Sequence, residues 1–365
     1  MARDWREVRN LLVVRLDNLG DVLVTTPAIH ALRENLPEAR ITLMASQVGA
    51  QVAELNHDID DVIIYEAPWM DVARTLPQDS GREQAMIRLV KDRGFDGSII
   101  FTSYHQSSLP AAYLSYLADI PLRHAASIDF PGTLLTSRHR HPEGIVHEVE
   151  RGLNLVAGIG FASKQKDMIL HVPPQATTEM RSLLAREGVT FQRPLVVVHP
   201  GCSCQARTYP AEGYTEVADL LVEALGAQVV FTGLPTEMGL IGDIQRRMKH
   251  HAYSIAGRTS FKQLAAVIGL ADLIITNNTG PMHVGSCLKT PVVVLFALTN
   301  PPEQWGPWQV PHRVLNHPTD CATPCYKFVC PTDHACLAKV SPETVVAAVE
   351  ELLRESPRGA VHQCA

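Results

Sequence analysis

The first residues with an evident chemical use lie near the start of the chain, in the loop Asp17-Asn18-Leu19-Gly20-Asp21. The apolar run 11–16 precedes this loop and a segment with apolar residues at helical spacing follows it, which predicts strand, tight loop and helix. Gly20 would allow the backbone to approach a ligand. The carboxylate of Asp21 suits a general base toward a hydroxyl group, or it serves only to cap the helix. The sequence alone leaves both interpretations open.

Two later loops carry groups that suit a nucleoside diphosphate. The segment HPGCS ends another apolar run and is followed by Arg207. The hydroxyl of Ser203 and the guanidinium of Arg207 together would hold a pyrophosphate, although Arg207 alone could be a solvated loop residue. Glu237, after the segment FTGLPT, could accept hydrogen bonds from ribose hydroxyls. It could equally do no more than favour the dipole of a helix.

The sharpest motif is the turn NNTGPMH at 277–283, directly after the apolar segment DLIIT. We expect Thr279 to cap the following helix and Gly280 to permit close approach, so that exposed N–H groups form a phosphate cradle. Asn278 belongs to the same turn. His283 would lie one turn inside the helix and face the same ligand, the alternative being a half-buried histidine with no role in binding.

Four of the eight cysteines lie close together in the spacing C-x3-C-x4-C-x5-C: Cys321, Cys325, Cys330 and Cys336. Four thiolates could close around one zinc ion. The spacing differs from the paired C-x2-C of zinc knuckles, however. We therefore expect free or paired thiols in a lid-like loop, with no metal and no organic cofactor.

Strands that alternate with helices must position these loops. Apolar runs typical of buried strands fall in two series: 11–16, 41–46, 61–66 and 97–102, then 194–201, 227–233, 253–255, 272–278 and 291–297. Helical spacing lies between the runs, for example near 48–55, which predicts α/β architecture with mostly parallel sheets. The expected domains are residues 1–172 and 173–340, both Rossmann-like and doubly wound, with a C-terminal helix and tail at 341–365. Such domains would place the ligand in a central cleft between them.

The composition argues against a nucleic-acid-binding protein, a secreted protein and a membrane-spanning protein. The 365 residues include 32 Lys and Arg against 38 Asp and Glu, a net charge of −6, and no basic block marks a nucleic acid partner. The charged start MARDWREVRN does not suit a signal peptide, and no apolar segment reaches about 18 residues. We expect a cytoplasmic protein with at most peripheral membrane contact.

Taken together, the motifs resemble glycosyltransferase family 9, the ADP-heptose-dependent heptosyltransferases of lipopolysaccharide core assembly. The likeness covers nearly the whole chain: RLDNLGDVLVTTPAIHALRENLPEARITLMAS, HEVERGLNL, the HPG-x-S loop with Arg207, TGLPTE, TNNTGPMHVGSCLKTPVVVLF and CYKFVCPTDHACLAKVSPE. The resemblance implies the two-domain GT-B fold.

The resemblance also implies roles for single residues. Asp21 matches the catalytic base, supported by Asp17 and Gly20 of its loop. Arg207 stands where the family has a phosphate-contacting lysine, and its planar fork suits bidentate phosphate contact. The other matches are Ser203 near the diphosphate, Glu237 near the nucleoside, and Thr279, Gly280 and His283 in the diphosphate-binding turn. Asn278 replaces the family's acid in that turn, and an amide carries no negative charge toward a sugar hydroxyl or a neighbouring cation.

The expected activity is an inverting, metal-independent glycosyl transfer. A heptose-like sugar would move from a nucleoside diphosphate, ADP-heptose by the resemblance, to a hydroxyl of a glycan or glycolipid acceptor. Two alternatives stay open: a natural-product glycosyltransferase that uses another donor, such as a GDP-linked sugar, and a non-catalytic nucleotide-sugar-binding protein. An NAD-dependent oxidoreductase is disfavoured because no early G-x-G-x-x-G is present.

Overall fold

The computed structural model describes residues 4–71, 74–104 and 106–355. Internal contacts divide the chain into two compact units, with the division between His171 and Val172. Among the described helices, none combines the length and apolarity needed to cross a membrane. The tail expected at the C-terminus, residues 356–365, lies outside the described residues.

The first unit is built on a six-stranded parallel sheet with the strand order β3-β2-β1-β4-β5-β6. Its strands are β1 (Asn10–Arg15), β2 (Arg40–Ala45), β3 (Asp61–Ile64), β4 (Gly97–Ile100), β5 (Leu122–Ala126) and β6 (Ser137–His139). Val13 of the central strand pairs with Leu43 on one side and Ile99 on the other. Because β1 and β4 are parallel neighbours, the residues that follow them meet at the same edge of the sheet.

Helices connect these strands: α1 (Leu19–Asn35), α2 (Ser80–Asp92), α3 (Leu109–Leu117) and α4 (Glu148–Ala157). Helix α1 is buried along most of its length and packs against α4. The helix expected near 48–55 is a 3-10 helix over Gly49–Leu55. Helix α4 ends at Ala157 with Gly158 as its C-cap.

The second unit repeats the plan with the strand order β12-β11-β10-β7-β8-β9. Its strands are β7 (Leu195–His199), β8 (Gln228–Phe231), β9 (Tyr253–Ser254), β10 (Leu273–Asn277), β11 (Val292–Leu295) and β12 (His312–Leu315). Counted from the first strand of each unit, both sheets have the order 3-2-1-4-5-6, the doubly wound arrangement that binds ligands at the carboxyl ends of its strands.

The helices of the second unit cover both faces of its sheet. They are α5 (Pro174–Glu187), α6 (Ala211–Leu225), α7 (Met238–Arg247), α8 (Phe261–Leu270), α9 (Gly280–Cys287), α10 (Pro302–Trp305), α11 (Ala335–Ala338) and α12 (Pro342–Glu355). Helix α12 packs against α6, and its apolar residues, such as Val345 and Leu352, are fully buried in the core of this unit. The central strands β7 and β10 are buried at every residue, as expected for a sheet covered on both faces.

Candidate active site

A buried arginine organises the carboxyl edge of the first sheet. Arg15 is the last residue of β1, and its side chain is 3% exposed. Its Nη2 lies 3.2 Å from Oδ1 of Asp21, and its Nε lies 3.1 Å from Oδ2 of Asp17. The guanidinium group of Arg15 therefore contacts both carboxylates of the loop 17–21.

Two residues after β4 complete this arrangement. The hydroxyl of Ser103 lies 2.9 Å from Nη2 of Arg15 and donates to Oδ1 of Asp21 at 3.1 Å. Gln106 donates from Nε2 to Oδ1 of Asp17 at 2.5 Å. Sequence reasoning missed Arg15, Ser103 and Gln106. Ser103 and Gln106 could have been found from the pairing of β4 with β1, because that pairing brings the residues after β4 beside the loop 17–21.

Asp21 lies in the first turn of α1 but does not occupy the N-cap position. The N-cap is Asn18, whose backbone N–H donates to Oδ2 of Asp21 at 3.2 Å, so that the two residues form a capping box. Asp21 therefore caps the start of the helix from its third residue, and the N-cap position itself belongs to Asn18. Gly20 is the second residue of the helix and is buried there.

The electrostatics at Asp21 favour proton exchange near neutral pH. Burial and the nearby carboxylate of Asp17 raise the pKa of Asp21 to about 6, although the guanidinium of Arg15 opposes both effects. Glu148, the first residue of α4, adds a further negative charge that raises this pKa. A carboxyl group with a pKa near the working pH suits a general base.

Arg207 is held in the second unit by two segments that follow β10 and β11. Its Nε donates to Oγ1 of Thr299 at 3.0 Å, and its Nη1 donates to the backbone oxygen of Asn278 at 3.4 Å. The side chain of Asn278 is buried, donating to Oδ1 of Asn300 at 2.9 Å and accepting from the N–H of Ala297 at 3.2 Å. Asn278 thus supports the same network that fixes Arg207.

The turn before α9 departs from one expectation. Thr279 is the N-cap residue in extended conformation, but within the described residues its hydroxyl caps no N–H group of the helix. The backbone oxygen of Thr279 accepts instead from the N–H of Met282 at 3.1 Å, and its hydroxyl interacts with the thiol of Cys202. Gly280 opens the helix, and His283 is 5% exposed in the first turn.

Glu237 lies at the carboxyl ends of β7 and β8. Its Oε2 accepts from the N–H of Leu234 at 2.7 Å and lies 3.8 Å from Nε2 of His199. Burial raises the pKa of Glu237 and lowers the pKa of His199 to about 4, so His199 is neutral at pH 7. Ser203 is exposed in the loop between His199 and Arg207. The second sheet therefore gathers the residues predicted for the donor at one edge.

The cysteine-bearing segment contacts the loop that carries Arg207. The backbone N–H of Ala206 donates to the oxygen of Phe328 at 2.9 Å, and the N–H of Cys330 donates to Oε1 of Gln205 at 2.9 Å. The seven cysteines in the described residues are free thiols. Within the same residues no three His, Cys, Asp or Glu side chains are arranged to hold a metal ion.

Comparison with known proteins decides the family. The family model for glycosyltransferase family 9 (heptosyltransferase) matches residues 85–336, well over half of the chain. The chain belongs to glycosyltransferase family 9. It is 26% identical to lipopolysaccharide heptosyltransferase 3 of Escherichia coli (strain K12) over 296 residues, which cover 79% of this chain and 82% of that protein.

Solved structures agree with this family 9 assignment at the level of the fold. The glycosyl transferase family 9 structure from Veillonella parvula DSM 2008 has a TM-score of 0.81 and 24% identity, covering 98% of this chain and 99% of that one. The E. coli heptosyltransferase WaaC with ADP-2-deoxy-2-fluoro heptose has a TM-score of 0.69 and 17% identity, covering 94% and 99%. The predicted α/β class and GT-B fold are confirmed, and the family 9 chain is a glycosyltransferase.

Proposed function

We propose that this glycosyltransferase is an inverting, metal-independent enzyme that transfers a heptose from ADP-heptose to a hydroxyl of a glycan or glycolipid acceptor. The observation that carries the proposal is the carboxylate of Asp21, which is held by Arg15 and Ser103 at the carboxyl edge of the first sheet. The E. coli relative named above is a lipopolysaccharide heptosyltransferase, and the WaaC structure holds an ADP-heptose analogue. These two findings support the donor and the acceptor class.

In this proposal Asp21 takes the proton of the acceptor hydroxyl. The acceptor oxygen then attacks the anomeric carbon of the donor sugar from the face opposite the diphosphate. The new carbon–oxygen bond forms as the bond to the diphosphate breaks, and ADP leaves with the bonding electron pair. Attack from the opposite face inverts the anomeric configuration, and the base is needed at the moment of attack.

The second unit would bind the donor, and the first would bind the acceptor. Arg207 and Ser203 would neutralise and hold the diphosphate, helped by the helix start from Thr279 to His283. Glu237 would accept from ribose hydroxyls. With a net charge of −6, the protein lacks a general attraction for an anionic donor, so these few placed groups must stabilise the charge that develops on the leaving diphosphate.

We place the enzyme in the cytoplasm with at most peripheral membrane contact.

ADP-heptose, GDP-mannose, UDP-glucose and dTDP-glucose should be incubated in turn with the full chain and an oligosaccharide of the lipopolysaccharide core, with EDTA present throughout. Mass spectrometry should detect transfer from ADP-heptose alone, and NMR should show the inverted anomeric linkage. A retained configuration, a requirement for divalent cation, or a preference for another donor would contradict the proposal.

A further inference from the structure

The hydrogen bonds around Asp21 distinguish its two oxygens. Oδ1 lies within hydrogen-bond distance of both Nη2 of Arg15 and the hydroxyl of Ser103, at 3.2 and 3.1 Å. Oδ2 accepts only from the N–H of Asn18, at 3.2 Å, among the described residues. A carboxylate oxygen offers about two lone-pair sites, so both sites of Oδ1 are occupied and one site of Oδ2 remains.

Around Arg15 and Asp21, negatively charged side chains outnumber positively charged ones. The guanidinium of Arg15 contacts two carboxylates, on Asp17 and Asp21, and the carboxylate of Glu148 acts on both Arg15 and Asp21 from the start of α4. Glu148 is itself paired with Arg151, whose Nε lies 3.0 Å from its Oε1. Two carboxylates therefore contact one buried guanidinium, and the charge of a third, on Glu148, acts on the same group.

We infer that Arg15 and Ser103 are positioning residues, which fix Oδ1 of Asp21 and leave Oδ2 as the oxygen that takes the acceptor proton. Asp17 and Glu148 complete the arrangement because their negative charges keep Asp21 basic while Arg15 keeps it ionised at neutral pH. The inference rests on the proposed function, since it assigns a reacting atom within that mechanism.

The neighbouring elements supply these charges and one further titratable side chain. The last residue of β1 and the loop after it contribute Arg15 and Asp17, and α4 contributes Glu148 and Arg151. His141 lines the same cavity as Arg15, Glu148 and Arg151, and burial lowers its pKa to about 4, so it is neutral at pH 7. The segment after β4 contributes the uncharged Ser103 and Gln106, and Ser46 after β2 donates its hydroxyl to the backbone oxygen of Asp17 at 2.7 Å. Opposite charges near Asp21 predict opposite effects on its pKa when each is removed.

The test measures the titration of Asp21 directly, by NMR of the full chain labelled with ¹³C at aspartate carboxyl groups. The pKa of Asp21 should fall by roughly 1 unit in Asp17→Asn, should fall in Glu148→Gln, and should rise by roughly 1 unit in Arg15→Met. The acidic limb of kcat/KM for heptosyl transfer should move in the same direction as the titration in each variant, because the base works only when deprotonated.

Asp119→Asn is the matched control, because Asp119 is exposed in the same unit and pairs with Lys91; it should leave the titration of Asp21 unchanged. Ser103→Ala should lower kcat at least about tenfold with donor affinity unchanged, because the carboxylate of Asp21 then loses the hydrogen bond that fixes its orientation. If Arg15→Met does not fold, Ser103→Ala and the two acidic variants decide. A wild-type kcat in Ser103→Ala, or an unmoved titration in both acidic variants, would overturn the inference. Shifts as expected without transfer from any donor would leave the charge arrangement around Asp21 intact and overturn the proposed function instead.

Discussion

The carboxylate of Glu237 occupies the space in which a side chain on Gly201 would begin. A Cβ atom built on Gly201 would lie 2.0 Å from both Cδ and Oε1 of Glu237. Gly233 borders the carboxylate on another side, where a Cβ atom would lie 3.0 Å from Oε2. The two glycines follow β7 and β8, so the backbones at the ends of neighbouring strands fix where Glu237 presents its charge.

Gly201→Ala should therefore displace Glu237 and weaken ADP binding. The expected loss is that of one charge-assisted hydrogen bond to ribose, roughly 10- to 100-fold in Kd, measured by isothermal titration calorimetry. Gly239→Ala is the control, because no described atom outside its own helix lies within 4 Å of the added Cβ. In that variant affinity should be unchanged and the helix stabilised by about 0.5–1 kcal/mol. Equal ADP affinity in Gly201→Ala and the wild-type protein would argue against a role for Glu237 at the ribose.

Removal of the guanidinium at Arg207 should weaken donor binding through the diphosphate. In Arg207→Met the Kd for ADP should rise roughly 10- to 100-fold, with a smaller effect on adenosine, which has no phosphate. Arg247→Met provides the comparison, since Arg247 forms an exposed pair with Glu212 and such pairs contribute little. A similar loss of affinity for ADP and adenosine would place Arg207 away from the phosphates.

An acid at position 278 should compete with the donor for Arg207. Asn278 is 3% exposed and its amide donates to Asn300, so Asn278→Asp buries a carboxylate near the guanidinium. We expect weaker ADP binding, because the new charge attracts Arg207 and repels the diphosphate, and a lower melting temperature, because a buried donor is lost. Calorimetry and thermal unfolding measure the two effects. Tighter ADP binding in this variant would show that the family's acid also suits this turn.

The elements that carry the site could be predicted from the sequence because strand and helix periodicities alternate there without ambiguity. The run before Asp17 is β1, and the segment from Gly280 to Cys287 is α9, as expected. Strands β5, β6 and β12 were missed. Strands β6 and β12 are edge strands of three and four residues, SRH and HRVL, whereas β5, with the sequence LRHAA, lies between β4 and β6. Polar residues in all three interrupt the apolar run that marks a buried strand.

The side chains around Asp21 were harder to predict, since they come together only through the fold. Ser103 is 82 residues from Asp21 in the sequence, and no local pattern connects them. Arg15 lies within the apolar run 11–16, which predicts its place in a strand but not that its buried charge holds two carboxylates. Thr279 occupies the predicted N-cap position, but its hydroxyl interacts with Cys202 and caps no described N–H group of the helix; that contact also depends on tertiary structure.

Comparison of the wild-type protein with Asp21→Asn tests the central claim most directly. Turnover of ADP-heptose and an oligosaccharide acceptor should be measured by mass spectrometry, and binding of ADP-heptose by calorimetry, on both proteins. The account predicts at least about a 100-fold loss of kcat with an unchanged Kd for ADP-heptose, since Asp21 acts on the acceptor. Wild-type turnover in Asp21→Asn would contradict it.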